Sequence, residues 1–273
     1  MKDLKLEGKV VAITGGASGI GAALSLEFGL HGSTIALIDV DKKSLQQQVA
    51  LLQTKNIPAI GLHCDITSER QCTVTIAKII KKFGGIDILV NNAGITQRSL
   101  FAHTRSEVFH KVMAVNFFGA LYCTKAALKS LIEREGMIVV ITSIAGIAPL
   151  YGRTGYSASK HALHGLFESL RAELSDYGVG VMMVCPGFTQ TNLQMRALAG
   201  NGTINVHKRA IVGKEAQPED VARAIVKGVI KQKRTLVLTP VGKLSFLIAK
   251  LFPLLYEHMM IKSVKEEFDD EAL

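Results

Sequence analysis

The chain has 273 residues, of which 48% are apolar and 20% charged, with a formal net charge of +9. That apolar content suffices for one large folded core and excludes a disordered or collagen-like polypeptide. Its four cysteines, Cys64, Cys72, Cys123 and Cys185, form no Cys-x-x-Cys pair, and its eight histidines have no metal-ligand spacing, so neither a disulfide framework nor a metal site is expected.

Residues 1–9 carry charges where a secretory signal needs an apolar run, so a cytoplasmic location is expected. The β-branched run Val10–Thr14 suits a strand buried on both faces. Gly15, Gly19 and Gly21 follow at once; residues 22–30 then have helical spacing, and residues 33–38 form a second buried strand. This is a β-α-β unit with a glycine-rich first turn. Gly15 allows a sharp exit from the strand, and Gly19 leaves no side chain between backbone and ligand. Gly21 lets the helix pack closely on the sheet. The helix N-terminus, with its free N–H groups and positive dipole end, then points at a pyrophosphate. Asp39 ends the second strand, 20 residues after Gly19. A carboxylate there accepts hydrogen bonds from both adenosine ribose hydroxyls and repels a 2′-phosphate, which favours NAD over NADP.

The alternation continues. Residues 41–55 read as a helix and 59–64 as a strand. Ser68 caps a helix that runs to Phe83 and ends at Gly84-Gly85. A strand over 86–90 is closed by Asn91-Asn92-Ala93-Gly94, and a long helix runs to about residue 135. Residues 137–142 form a strand, 154–177 a helix, and 181–185 a strand stopped by Pro186-Gly187. Pro218 opens another helix, and 236–238 is the last strand. Such alternation predicts an α/β fold, a doubly wound parallel sheet with helices on both faces and ligands at the carboxyl ends of the strands. One domain is expected over residues 1–240, including a substrate-covering loop over 188–214. An extension over 241–273 begins apolar and ends acidic. The basic residues are scattered, with one cluster at Lys227, Lys231, Lys233 and Arg234, and no nucleic-acid motif accompanies them.

The chemistry falls late in this pattern. Ser143 follows a strand end, Tyr156 comes 13 residues later, and Lys160 lies one helical turn beyond it. A free tyrosine titrates near about 10. A neighbouring ammonium and the positive nicotinamide of an oxidised cofactor both favour phenolate. Such a phenol serves as general base toward an alcohol or general acid toward a ketone, with Ser143 donating to the same substrate oxygen. Tyr-x-x-x-Lys alone is a weak signal; its position behind a dinucleotide turn and a strand-end serine gives it weight.

Over about residues 6–240 the chain resembles the short-chain dehydrogenase/reductase family. The resemblance rests on the run from Thr14 to Gly21, Cys64-Asp65, Asn91-Asn92-Ala93-Gly94, Asn116, Ser143, Tyr156, Lys160, and Pro186-Gly187 with Thr189 and Thr191. It implies a Rossmann-type fold and NAD as cofactor. In the roles it implies, Ser18 and Ile20 bind the cofactor with the glycine turn, Asp65 binds the adenine amine with Ile66 beside it, and Asn92, Ala93 and Gly94 line the adenosine side. Asn116 kinks its helix and holds a water against Lys160, and Lys160 also binds the nicotinamide ribose. Pro186, Gly187 and Thr189 meet the nicotinamide end. Asn116, Ser143, Tyr156 and Lys160 are thus the expected catalytic set. The rival reading is a catalytically silent dinucleotide-binding sensor or scaffold, against which that complete set speaks.

Expected pocket walls are Ile144, Ala145, Ile147, Leu150, Tyr151, Phe188, Leu193, Met195 and Leu198, with Gln97 and Arg98 on the far side. Mostly apolar walls favour a lipophilic alcohol or ketone. The helix around 114–127 is apolar on most of its circumference, which predicts burial against the sheet on one side and a partner subunit on the other; the resemblance implies a homodimer or homotetramer. Residues 244–261 are too charged for a spanning helix. They admit three readings: a lid or subunit-contact helix, a membrane-surface helix, and core packing.

Overall fold

Among the described residues seven strands, each supplied by one of the short apolar runs, pair in the order β3-β2-β1-β4-β5-β6-β7. They are β1 (Val10–Thr14), β2 (Thr34–Asp39), β3 (Ala59–His63), β4 (Ile88–Asn91), β5 (Met137–Ile141), β6 (Gly180–Cys185) and β7 (Thr235–Val237), and every pairing is parallel. The computed structural model describes residues 3–205 and 215–271. The helices are α1 (Gly19–Leu30), α2 (Lys42–Thr54), α3 (Glu69–Phe83), α4 (Ser106–Met113), α5 (Gly119–Glu133), α6 (Thr154–Glu173), α7 (Asn192–Met195), α8 (Pro218–Ile230), α9 (Pro240–Leu251) and α10 (Pro253–Val264).

The period of two in β1 explains the layering. Val11 and Ile13 enter a core with Leu24 and Phe28 of α1, Leu52 of α2 and Ile225 of α8. Val10 and Ala12 enter a second core with Ile76 of α3, Cys123 of α5 and Phe167 of α6. A sheet covered on both faces needs the near-continuous apolar strands that this sequence has. The helix starts follow local chemistry: Asp41 accepts from the Ser44 N–H at 3.1 Å, Ser68 caps α3, and Pro218 sits in the first turn of α8.

Three boundaries differ from the sequence pattern. The long helix expected up to about 135 is two helices, because Ala114–Phe118 form a π-helical turn between α4 and α5. The helix expected over 154–177 ends at Glu173 and continues as a tight turn over Ser175–Tyr177. Strand β4 begins at Ile88, because the two glycines before it hold the chain in turn geometry and the Asp87 carboxylate is committed to the Val10 N–H at 2.9 Å and to Lys9 at 2.9 Å. Within the expected covering segment, Asn192–Met195 is helical and residues 206–214 lie outside those described.

Beyond β7 the chain forms a hairpin of two helices, α9 and α10. The turn after it returns to the body, where Val264 and Phe268 are buried. Glu267 pairs there with Arg153 at 2.7 Å, and both side chains are almost wholly covered. Among the described residues no helix is long and apolar enough to cross a membrane.

Candidate active site

Strand order reverses between β1 and β4, so the connections leave the sheet in opposite directions and open a crevice. A cavity of about 1000 Å³ lies there, running from the β2 end past β1 and β4 to the far side of β5 and β6.

One end is built by the glycine turn. Gly15, Ser18, Gly19, Ile20, Asp39, Asp65, Ile66, Asn92, Ala93 and Gly94 all line it. Gly15 has φ +62°, and a Cβ there would sit 2.8 Å from the Ala93 Cα. Thr14 ties the two central strands: its hydroxyl accepts from the Asn92 and Ala93 N–H groups at 3.0 and 3.1 Å. The Asn92 amide in turn donates to the Thr14 and Gly15 carbonyls at 2.9 and 3.0 Å. The Asp39 carboxylate is oriented on both oxygens, by the Ala17 N–H and the Asp41 N–H, each at 3.0 Å. Asp65 has a local task as well: one of its oxygens accepts from the Thr67 N–H at 3.0 Å. Gly21 is absent from the lining. It lies under the turn, where a Cβ would overlap the Gly15 carbonyl oxygen and reach 2.6 Å from the Asn92 amide. It therefore shapes the turn from below.

The middle of the cavity holds Ser143, Tyr156 and Lys160, with Pro186, Gly187, Thr189 and Thr191 across from them. Two residues bring the three together. Ser143 opens a short turn and accepts from the Ala145 N–H at 3.1 Å. Gln97, 59 residues before Tyr156, accepts the Tyr156 N–H at 3.1 Å and so caps the start of α6, whose own N-cap residue, Arg153, makes no side-chain cap. Asn116 does not reach the cavity. Its side chain is fully engaged, accepting from Ile95 N–H at 2.8 Å and donating to the Ile95 carbonyl and the Ser159 hydroxyl at 2.9 Å each. The kink expected of it is the π turn.

Electrostatics here differ from the sequence expectation. Burial pushes the Tyr156 phenol up; the Ser143 hydrogen bond and the nearby Arg153 charge pull it back in part. Lys160 is no cause of that relief, because its ammonium donates to the Ile141 carbonyl at 2.9 Å and lies 5.7 Å from the Tyr156 ring centre. Burial lowers Lys160 itself to about 8, with Cys185 raising it slightly. Arg153 was not foreseen. Three residues ahead of Tyr156, it lines the cavity and reaches Glu267 114 residues away, a distance no local pattern reports.

The remaining walls are Ile144, Ala145, Ala148, Leu150, Phe188 and Leu193, covered by Leu244, Ile248, Tyr256, Met259 and Met260 of the C-terminal hairpin. The Tyr256 hydroxyl donates to the Pro149 carbonyl at 2.9 Å, which fixes α10 over the site. Of the three readings of residues 244–261, the inner face is thus a lid. Six expected wall residues are not in the lining. Met195 is exposed, Leu198 packs with Val108 and Val112, Tyr151 meets Phe268 edge to face, and Arg98 donates to Asn205 at 2.6 Å. Ile147 is the fifth, and Gln97, the sixth, is taken up by α6. Among the described residues no group of three or more His, Cys, Asp or Glu side chains could hold a metal ion.

Comparison with known proteins agrees with this geometry. Residues 9–202 match the family model described as short chain dehydrogenase. Dehydrogenase/reductase SDR family member 7B of Danio rerio is 32% identical, over 97% of this chain and 89% of that protein. Dehydrogenase/reductase SDR family protein 7-like of Anopheles gambiae is 34% identical, over 96% of this chain and 84% of that protein. In fold the chain is similar to a short chain dehydrogenase/reductase from Burkholderia phymatum solved in complex with NAD. The TM-score is 0.83 with 22% identity, covering 92% of this chain and 96% of that one.

Proposed function

The chain belongs to the short-chain dehydrogenase/reductase family of oxidoreductases, and from that premise we propose that it moves hydride between NAD and a lipophilic secondary alcohol or its ketone. The observation that carries this reading is one cavity with three successive linings. An oriented carboxylate and a glycine turn lie at one end, a phenol with serine and lysine in the middle, and an apolar chamber under a lid at the other end.

The residues suit a dinucleotide. Gly15 and Gly19 line the space a pyrophosphate would take without side chains, and Asp39 and Asp65 would meet ribose and adenine. Ile66, Asn92, Ala93 and Gly94 flank the adenosine half, and Pro186, Gly187 and Thr189 the nicotinamide half. When bound, NAD supplies the hydride acceptor in oxidation and, reduced, the donor in reduction. Tyr156 takes the proton from the carbinol oxygen or returns it to the carbonyl oxygen. Ser143 donates to that same oxygen and fixes its distance from the phenol. Lys160 in its charged form would donate to the ribose, from the ammonium that the Ile141 carbonyl holds beside Tyr156. The lid and the Phe188 and Leu193 side chains exclude water from the reacting carbon.

Homodimer or homotetramer formation through α5 and α6 belongs to the same reading. Phe118 is 40% exposed and stands against Phe117 and Tyr122, and nothing lies above Gly165 on α6. A cytoplasmic location also belongs to it, since the four cysteines are free and buried.

Kinetics with both cofactors test the proposal. With a panel of lipophilic and hydrophilic secondary alcohols, NAD should be preferred over NADP by at least about tenfold in kcat/KM, roughly 1.4 kcal/mol. Lipophilic alcohols should be the better substrates. Equal efficiency with the two cofactors, or a preference for polyols, contradicts it.

The lysine gives a pH signature. A lysine held at about 8 in the free protein is charged below that pH and neutral above it. Ribose contact favours the charged form, so NAD affinity should be full below about pH 7 and decline as pH rises through 8. Titration calorimetry from pH 6 to about 9.5 should show that bend, and Lys160→Met should lose it. A bend that survives in the variant assigns it to another group.

A further inference from the structure

The hairpin of α9 and α10 has two apolar faces, and the lid accounts for only one. Leu247, Leu251, Phe252, Leu254 and Leu255 face away from the cavity and are 53, 60, 60, 81 and 52% exposed. Five such residues around one bend form a patch of a kind that single scattered apolar residues do not. We propose that this bend is a docking surface for an anionic lipid bilayer, into which it inserts without crossing.

Charge selects that occupant. Lys243, Lys250 and Lys262 are exposed on the hairpin, against a single acid, Glu257. The Lys250 ammonium lies over an aromatic side chain, 4.7 Å from the Phe246 ring centre, so that its charge is held beside the apolar patch. Apolar residues at the tip with lysines behind them are the pattern of an in-plane membrane anchor. A second copy fits worse, since a two-fold contact through this bend would bury these lysines against one another. The acidic residues follow the hairpin in sequence: Glu267 is turned inward onto Arg153, and the exposed Glu266 stands next to the exposed Lys265. Each helix has 12 residues, about 18 Å, well short of the hydrocarbon core of about 30 Å. The patch also continues into the chamber: Leu244 and Met259 line the cavity and are 56 and 48% exposed. The bilayer would thus meet the mouth of the site.

Full-length protein is mixed with phosphatidylcholine vesicles, with and without about a third phosphatidylserine, and sedimented. Binding to the anionic vesicles is expected, weakening with salt and at least tenfold stronger than to the neutral ones. Leu251→Glu combined with Leu254→Glu should reduce it at least tenfold, while thermal unfolding and NAD affinity stay unchanged, since neither residue lines the cavity. Lys250→Glu should weaken binding to anionic vesicles alone. No binding, equal binding to both vesicles, or binding that the glutamates leave untouched overturns the proposal. So does a wild-type oligomer that the glutamates dissolve, which would assign the patch to a second copy. Sedimentation needs no turnover, so this result stands apart from the identity of the substrate.

Discussion

Replacing Tyr156 by Phe should lower turnover by about 10²- to 10⁴-fold, the loss that follows when a positioned acid/base group is removed. The substitution deletes one oxygen and keeps the ring. The ring is 9% exposed and packed, so Phe occupies the same space without a cavity. The Ser143 hydroxyl loses the phenol but keeps the Ala145 N–H, so no buried polar group is stranded. Lys160 keeps its bond to the Ile141 carbonyl, and the glycine turn is untouched. NAD affinity should therefore stay within about twofold, or roughly 0.4 kcal/mol. Steady-state kinetics with calorimetric binding separate the two quantities. A variant that keeps most of its turnover places proton transfer on another group. One that loses NAD binding as well makes Tyr156 a structural residue first.

The second large effect is expected from a residue that touches no ligand. Gly21→Ala adds a methyl group against the Gly15 carbonyl oxygen, with the Asn92 amide 2.6 Å away. Backbone occupies that space and cannot swing aside as a side-chain end could. The Asn92 amide cannot yield cheaply either, because it bridges the Thr14 and Gly15 carbonyls. Overpacking of this kind costs about 1–3 kcal/mol. In a domain of this size that lowers the melting temperature by about 2–12 °C. The displaced turn should also lose NAD affinity, by at least about tenfold. Differential scanning calorimetry and binding report the two halves. A variant with unchanged melting temperature and unchanged affinity shows that the turn has slack, and that α1 does not need its close approach to β1.

What the sequence made legible is local in origin. A strand, a glycine turn, a cap and a helix face are each set by residues within a few positions of one another. The β-α-β unit, the helix starts at Asp41, Ser68 and Pro218, and the Ser143, Tyr156 and Lys160 spacing could therefore be read directly. The errors have a common cause in the loops. Between 188 and 205 no period says which way a side chain turns. Met195 goes to solvent and Leu198 to a small core with Val108 and Val112. Ala148 enters the cavity lining where Ile147 was expected.

By itself the sequence determined the layered sheet, the family, the glycine turn and the spacing of Ser143, Tyr156 and Lys160, because periodicity and turn stereochemistry act along the chain. Only the tertiary structure decided how those residues are held and charged. Gln97 caps the helix of Tyr156 from 59 residues away, and Glu267 reaches Arg153 from 114 residues away. Lys160 turns to a strand carbonyl, and the phenol is raised by burial where the sequence alone suggested relief by its neighbour. The apolar C-terminal run resolves into an inner face that closes the cavity and an outer face left bare. Desolvation and long-range contact depend on what surrounds an atom in space, and no window of sequence contains that.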